Sequence, residues 1–302
     1  MCIRDRDGVL FKRPKNFDWV DVTVAEFLED VYAVGKGLVA NGIEPGDRVV
    51  IMSDTRYEWT VLDYGIWAAG AITVPIYPSS STSQCEWIVG NSGAKLAIAE
   101  KSGHTTRLSS FVKEGDRPEG DTSAHLNRVL EINSGAIDIL VNDGKEADIQ
   151  QEVLEERIAN TRDSDVASIV YTSGTTGRPK GCKLTHHNWL AEARAILTHP
   201  VGRAAAFGYR KLTFLPLAHV FSRAMAHAAT VGGATQTHWS DMSTLVAEFQ
   251  RTKPNLICSV PRIFEKVHAG VKSKATEGGG VKAKIFTFAE RAAVDYSHAL
   301  DT

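Results

Sequence analysis

Short runs of aliphatic and β-branched residues alternate with amphipathic helical patterns along most of this chain. Strand-like runs lie at residues 48–53, 71–76, 95–99, 128–132 and 167–171, and helical spacing appears between them at 57–69 and 83–89. Two strands that run in the same direction need a crossover connection, which a helix usually supplies. The alternation therefore predicts an α/β fold whose parallel-rich sheets are flanked by helices.

The same alternation continues to the end of the chain. We predict strands at 211–215, 235–239 and 255–260 and helices at 185–198, 222–231, 242–252, 262–275 and 281–300. Pro261 stands at the start of its helix, where a missing N–H is tolerated. Near the amino terminus, Thr23 and Glu26 form a capping box that predicts the start of another helix, and Gly42 is placed to end it.

A loop rich in glycine and hydroxyl residues follows the apolar run 167–170. It reads Tyr-Thr-Ser-Gly-Thr-Thr-Gly-Arg-Pro-Lys-Gly over residues 171–181. Glycines let the backbone approach a polyanion, hydroxyl groups donate hydrogen bonds to phosphate oxygens, and Lys180 adds a positive charge. The hydroxyl residues are Thr172, Ser173, Thr175 and Thr176. The loop predicts a nucleotide or another polyphosphate as ligand.

Two other interpretations fit a loop of this composition. A Walker loop would place Gly-Lys-Ser/Thr at the start of a helix, whereas Lys180 follows Pro179 and residues 181–184 have an extended pattern. This spacing disfavours a P-loop kinase. A flexible surface loop is the ordinary interpretation of a Ser/Thr/Gly run, but the lysine and proline at fixed offsets after a buried-looking strand favour a binding site.

The loop resembles the signature loop of AMP-forming acyl-CoA synthetases and their adenylating relatives. A second element, Pro216 to His219 within residues 214–223, resembles the Pro-x-x-His element that borders the acyl pocket and the adenylate in that family. Residues 259–267, Ser-Val-Pro-Arg-Ile-Phe-Glu-Lys-Val, resemble the long-chain fatty acid branch. By itself, a lone histidine beside apolar residues is more often a packed core residue than a functional one.

The resemblance implies the roles of the site residues. Those that would bind the nucleotide are Thr172, Ser173, Gly174, Thr175, Thr176, Gly177 and Lys180. Lys180, Thr176 and His219 would carry the chemistry, with His219 orienting the reactants instead of acting as a general base. Thr175 would be a ligand of Mg²⁺.

The implied protein is an acid-thiol ligase with the N-terminal domain of the acyl-adenylate-forming fold. It would join a long-chain fatty acid to ATP, giving acyl-AMP and pyrophosphate, and then transfer the acyl group to coenzyme A. ATP, Mg²⁺ and coenzyme A as a substrate are therefore expected. An adenylating enzyme for an aryl or amino acid, or a non-catalytic nucleotide- or acyl-binding module, remains an alternative.

The chain is expected to be incomplete at both ends. Residues 1–6 read as a translated transposon end used to tag DNA in sequencing libraries, although a natural polar terminus is the alternative. Residues 7–302 would then be an incomplete AMP-binding domain without the family's small C-terminal domain. The family's later adenine-binding, ribose-binding and acidic Mg²⁺-binding elements are not found, so we expect no thioester formation by this chain alone.

The amino-acid composition limits which partners and which cellular location are expected. The 34 basic and 36 acidic residues show no basic excess, so nucleic acid is not an expected partner. Neither a secretory signal nor an apolar stretch long enough to span a bilayer is visible. The four scattered cysteines suit a reducing compartment, so a cytoplasmic location is expected, with peripheral membrane contact and oligomeric state left open. Trp59, Trp67 and Trp87 are interpreted as core or sub-domain contacts, and His186 and His187 as a helix start.

Overall fold

The structure is a computed structural model that describes residues 6–16, 18–115, 120–172, 178–277 and 279–300. The chain divides into two compact units, residues 1–257 and residues 258–302. The strands are β1 (Val9–Lys15), β2 (Asp18–Thr23), β3 (Arg48–Met52), β4 (Ile72–Pro75), β5 (Leu96–Ala99), β6 (Arg128–Glu131), β7 (Val166–Thr172), β8 (Lys180–Thr185), β9 (Arg210–Thr213), β10 (Thr235–His238) and β11 (Leu256–Ile257).

Helices connect most of these strands. In the first unit they are α1 (Val24–Ala40), α2 (Tyr57–Ala68), α3 (Thr82–Ser92), α4 (Ser102–Ser109), α5 (Ala136–Glu146), α6 (Gln151–Asn160), α7 (His186–Thr198), α8 (Val220–Gly232) and α9 (Leu245–Thr252). The second unit contains α10 (Pro261–Glu277) and α11 (Gly280–Leu300). Within that unit, Lys272 Nζ on α10 lies 3.0 Å from Glu290 Oε1 on α11.

The strands of the first unit form two sheets. One has six strands in the order β6-β5-β3-β4-β7-β8, and the other has five in the order β11-β9-β10-β1-β2. In each sheet all neighbours pair in parallel except one edge strand, β8 in the first and β2 in the second. The predicted α/β fold with parallel-rich sheets is therefore confirmed.

The central strands of the six-stranded sheet, β3, β4, β5 and β7, are buried on both faces, which explains their continuous apolar runs. In β3, Val49 and Ile51 pack into one core cluster with α1, α2 and α5, whereas Val50 and Met52 pack into a second cluster with α3 and α4. Helix α1 starts as predicted, because Thr23 Oγ1 accepts from the N–H of Glu26 while Glu26 accepts from the N–H of Thr23.

Several elements differ from the sequence-based expectations. The β1–β2 hairpin was not predicted, because β1 buries only part of its length and owes its place to parallel pairing with β10, for example Phe11 with Gln236. Helices α4, α5 and α6 were also missed. The strand expected at 255–260 is only Leu256–Ile257, because these are the residues that pair with β9.

Candidate active site

The glycine-rich loop connects two paired antiparallel strands. Strand β7 ends at Thr172 and β8 begins at Lys180, and these two residues face each other as the last pair of the ladder. Both are exposed. The other predicted loop residues, Ser173, Gly174, Thr175, Thr176 and Gly177, lie outside the described residues. The extended pattern expected at 181–184 is confirmed as part of β8.

Neighbouring strands bring the loop and Tyr77 to the same edge of the six-stranded sheet. Strand β4 runs parallel to β7, with Thr73 opposite Ser168, so both strands end at this edge. Tyr77 lies just after the end of β4, and Thr172 is the last residue of β7. Ligands of open α/β sheets bind outside the carboxyl ends of the strands, which makes this edge the candidate site.

His219 stands at the start of α8, where it is the N-cap. Its Nδ1 accepts a hydrogen bond from the N–H of Phe221 at 3.2 Å, and the imidazole is exposed. The ring centroids of His219 and Tyr77 are 6.5 Å apart in an edge-to-face arrangement. The structure thus brings His219 to the edge where Tyr77 lies, instead of packing it in the core.

Two hydroxyl groups hold the segment that precedes His219. Thr55 Oγ1, just past the end of β3, donates to the carbonyl oxygen of Leu215 at 2.7 Å. Ser222 Oγ, in the first turn of α8, donates to the same oxygen at 3.0 Å. The Thr55 bond ties the segment, which follows β9 of one sheet, to the end of β3 in the other, and the Ser222 bond ties it to α8.

A buried ion pair lies one turn beyond His219. Arg223 donates to both carboxylate oxygens of Asp63 on α2, with Nε 2.9 Å from Oδ2, and both side chains are 1% exposed. Thr73 Oγ1 also donates to Asp63 at 2.7 Å. Burial raises the pKa of Asp63, against the opposing effect of the Arg223 guanidinium and its hydrogen bonds.

Three indole rings surround the Arg223 guanidinium. Its Cζ lies 5.3 Å from the ring centroids of Trp59 and Trp67 and 4.7 Å from that of Trp189. Aromatic faces stabilise a desolvated cation, which accounts for burying Arg223 although Nη1 has no hydrogen-bond partner. The expectation that Trp59 and Trp67 make core contacts is confirmed, and the cation they enclose was not foreseen.

Trp87 lies beside the loop. The expectation that Trp87 makes core contacts is confirmed, because its ring packs against the second core cluster, and its Nε1 also donates to the carbonyl oxygen of Pro179 at 2.7 Å. No sequence pattern indicated this contact, since Trp87 and Pro179 are far apart in the chain and meet only through the packing of α3 against β8. The ion pair between Asp63 and Arg223 was not predicted from the sequence for the same reason.

The loop offers oxygen ligands of the type that Mg²⁺ uses. Residues 171–181 contain hydroxyl groups and no carboxylate, and Mg²⁺ is commonly held through substrate phosphates and water with few protein ligands. Among the described residues, no group of three or more His, Cys, Asp or Glu side chains is placed to hold a metal ion. The loop therefore fits Mg²⁺ as a companion of a bound polyphosphate.

A sheet edge that carries a lysine, a hydroxyl group and a histidine suits the binding of a phosphorylated ligand. Sequence comparison assigns the chain to a class of proteins that bind such a ligand. Residues 5–300 match the family described as AMP-binding enzyme, and the chain belongs to that family. Over 301 residues it is 42% identical to the long-chain-fatty-acid–CoA ligase FadD15 of Mycobacterium bovis, covering 98% of this chain and 48% of that protein.

Two solved structures share the fold. A long-chain-fatty-acid-CoA ligase, FadD1, from Archaeoglobus fulgidus matches with a TM-score of 0.70 and 20% identity over 88% of this chain and 51% of that one. The N-terminal domain of FACL13 from Mycobacterium tuberculosis matches with a TM-score of 0.67 and 21% identity over 87% and 61%. The expected fold, that of the N-terminal domain of acyl-adenylate-forming enzymes, is confirmed.

The chain spans about half the length of the curated relatives that it matches, 48% in the case of FadD15. Within the described part of the chain, every helix is too short or too polar to cross a bilayer.

Proposed function

We propose that this chain is part of an ATP-dependent long-chain fatty acid CoA ligase. The observation that carries the proposal is the pairing of Thr172 with Lys180 at the base of a hydroxyl-rich loop, on a sheet edge that His219 also approaches. The similarity to FadD15 supports the choice of a long-chain fatty acid as substrate. Adenylation of an aryl or amino acid is the competing function.

In the proposed first step, the fatty acid carboxylate attacks the α-phosphorus of ATP and pyrophosphate leaves. A carboxylate is already ionised at neutral pH, so the protein's task is to position the reactants and stabilise charge. Thr172, Ser173, Thr175 and Thr176 would donate to the β- and γ-phosphates, and Lys180 would neutralise charge that develops on the leaving pyrophosphate. Bound Mg²⁺, with Thr175 as a ligand, would supply further neutralisation of the phosphate charge.

In the second step, the thiol of coenzyme A attacks the acyl-AMP to give acyl-CoA and AMP. We propose that His219 orients the acyl-adenylate through polar contact, since its Nδ1 already caps α8. Because the chain spans 48% of FadD15, we expect the 302-residue chain alone to form no thioester. The proposed location is the cytoplasm.

The test measures ATP–pyrophosphate exchange with palmitate. It uses the chain extended by the second half of the FadD15 relative, with the 302-residue chain assayed beside it for binding of MgATP. Lys180→Ala and Thr176→Ala are each expected to slow exchange by about 10²-fold, the usual effect of removing a group that stabilises transition-state charge. Full exchange activity in both variants would remove the loop from the chemistry.

Substrate profiling separates the competing functions. Exchange driven by palmitate but not by benzoate or amino acids is expected. Exchange driven by benzoate or an amino acid would assign the chain to another adenylating branch. Binding of MgATP without exchange under any acid would favour a non-catalytic nucleotide-binding module.

A further inference from the structure

Helix α3 contacts both arms of the glycine-rich loop. Trp87 and Asn91 lie one turn apart on this helix, so their side chains share a face. Trp87 Nε1 donates to the carbonyl oxygen of Pro179 at 2.7 Å, while Asn91 Oδ1 accepts from the Tyr171 hydroxyl at 2.7 Å. Pro179 precedes Lys180, and Tyr171 precedes Thr172. One helix face therefore holds both sides of the Thr172–Lys180 pair.

The arm that leads into β8 is held at two points. Besides the hydrogen bond to Pro179, the Trp87 ring lies under the Arg178 guanidinium, whose Cζ is 4.7 Å from the ring centroid. The carbonyl of Pro179 and the N–H of Lys180 belong to the same planar peptide group. A hydrogen bond to that carbonyl therefore also fixes the orientation of the backbone from which the Lys180 side chain departs.

The arm that comes from β7 is held by Tyr171. Its ring covers Gly181, its partner in the ladder: a Cβ on Gly181 would lie 3.0 Å from Tyr171 Cζ and 2.8 Å from Ile169 Cγ2. The Tyr171 ring can occupy this space because Gly181 has no side chain. Burial raises the pKa of Tyr171 to about 12, so its hydroxyl keeps the proton that it donates to Asn91.

We propose that Trp87 and Asn91 are positioning residues of the nucleotide site, which clamp the Thr172–Lys180 pair in the geometry that receives the phosphates of ATP. The inference rests on the proposed function, because Thr172 and Lys180 are phosphate contacts there. A lysine ammonium sits on a flexible stem, so fixing its backbone before ATP arrives lowers the entropic cost of binding.

The first measurement is hydrogen exchange of the 302-residue chain, followed by mass spectrometry. Trp87→Phe removes the indole donor but keeps an aromatic ring, and Asn91→Ala removes the acceptor. Peptides covering β7 and β8 are expected to exchange several-fold faster in both variants, while peptides covering β3 and β5 keep their rates. Asn91→Asp, which retains an acceptor for the Tyr171 hydroxyl, should restore slow exchange.

Two matched controls remove equivalent bonds elsewhere. Trp19→Phe removes the hydrogen bond from the indole N–H to Glu248 at 3.1 Å, and Tyr57→Phe removes the hydrogen bond from the phenol hydroxyl to Asp30 at 2.7 Å. Neither donor contacts the loop arms. Both controls should leave exchange of β7 and β8 unchanged, which separates loss of the clamp from a general loss of stability.

The second measurement is the dissociation constant of MgATP, by isothermal titration calorimetry, for the chain extended by the second half of the FadD15 relative. We expect Trp87→Phe and Asn91→Ala to weaken binding about five- to tenfold, as loss of one hydrogen bond would, and the two controls to bind like the parent chain. Unchanged exchange of β7 and β8 would overturn the clamp. Faster exchange with unchanged ATP affinity would overturn its positioning role. An extended chain that binds no MgATP would contradict the proposed function, whereas hydrogen exchange of the 302-residue chain would still test the clamp.

Discussion

Asp63 and Arg223 form a buried two-pronged ion pair that joins α2, which packs on the six-stranded sheet, to the first turn of α8, one turn after His219. The backbone N–H of Arg223 also donates to the carbonyl oxygen of His219 at 3.1 Å. The ion pair thus links the start of α8, and the histidine that caps this helix, to the helices that pack on the six-stranded sheet.

Breaking this pair is expected to be costly. Asp63→Asn should lower the free energy of unfolding by about 3–5 kcal/mol, because it leaves the buried Arg223 charge without its counter-ion. Urea unfolding of the chain measures this change. Asp54→Asn, which breaks the exposed pair with Lys101 at 3.1 Å, should cost no more than about 1 kcal/mol. A small loss in both variants would contradict the prediction.

His238 is expected to make the fold sensitive to acid. It is 3% exposed, its ring nitrogens have no hydrogen-bond partner, and its ring stacks on Phe11. Burial, with a smaller effect of the Lys211 charge, lowers the pKa of His238 from 6.5 to about 3. As the pH falls from 6.5 towards 3, the unfolded chain binds a proton that the folded chain does not, so stability decreases.

The corresponding variant is His238→Phe, which keeps the stacking and removes the titrating group. Between pH 7.5 and 5, the free energy of unfolding of this variant should fall by about 2 kcal/mol less than that of the parent chain. The figure follows because His238 costs the parent about 1.4 kcal/mol of stability for each pH unit below 6.5. Urea unfolding at both pH values gives the comparison. A loss between these pH values as large in His238→Phe as in the parent chain would contradict the prediction.

Gly37 permits the close approach of α1 and α5. A Cβ at this position would lie 2.1 Å from the carbonyl oxygen of Leu140, so Gly37→Ala must separate the two helices. We expect a loss of about 1–3 kcal/mol in thermal or urea unfolding, larger than the gain in helix propensity. Gly103→Ala on α4, where the added Cβ meets no atom within 4 Å, should instead stabilise by about 0.5–1 kcal/mol. Equal effects of the two substitutions would argue against the helix contact.

His219 combines a structural and a proposed functional role that substitution can separate. His219→Ala removes the acceptor for the Phe221 N–H and should cost about 1 kcal/mol of stability. His219→Asn keeps a capping oxygen, so its melting temperature should stay near that of the parent. If the ring contacts the acyl-adenylate, both variants should reduce palmitate-dependent exchange about fivefold or more in the extended chain. Full activity of His219→Asn would restrict this residue to capping.

Local pattern predicted much of the fold. The strand β3, the capping box at Thr23 and the helix that begins after Thr185 were predicted because burial and capping leave signals within a few neighbouring residues. The β1–β2 hairpin was missed, since its place depends on pairing with β10, which is distant in the chain. The short β11 was predicted too long because its apolar run continues beyond the residues that pair with β9.

The local sequence predicts the class of site, because a hydroxyl-rich loop with Lys180 after a buried strand indicates a phosphate ligand wherever that strand lies. The residues that contact the two arms of this loop, and the position of His219, follow from the tertiary fold. Trp87 reaches Pro179, and Asp63 reaches Arg223, because helices from separate parts of the chain pack on shared sheets. Such contacts depend on side-chain geometry in three dimensions, which periodicity and capping patterns do not encode.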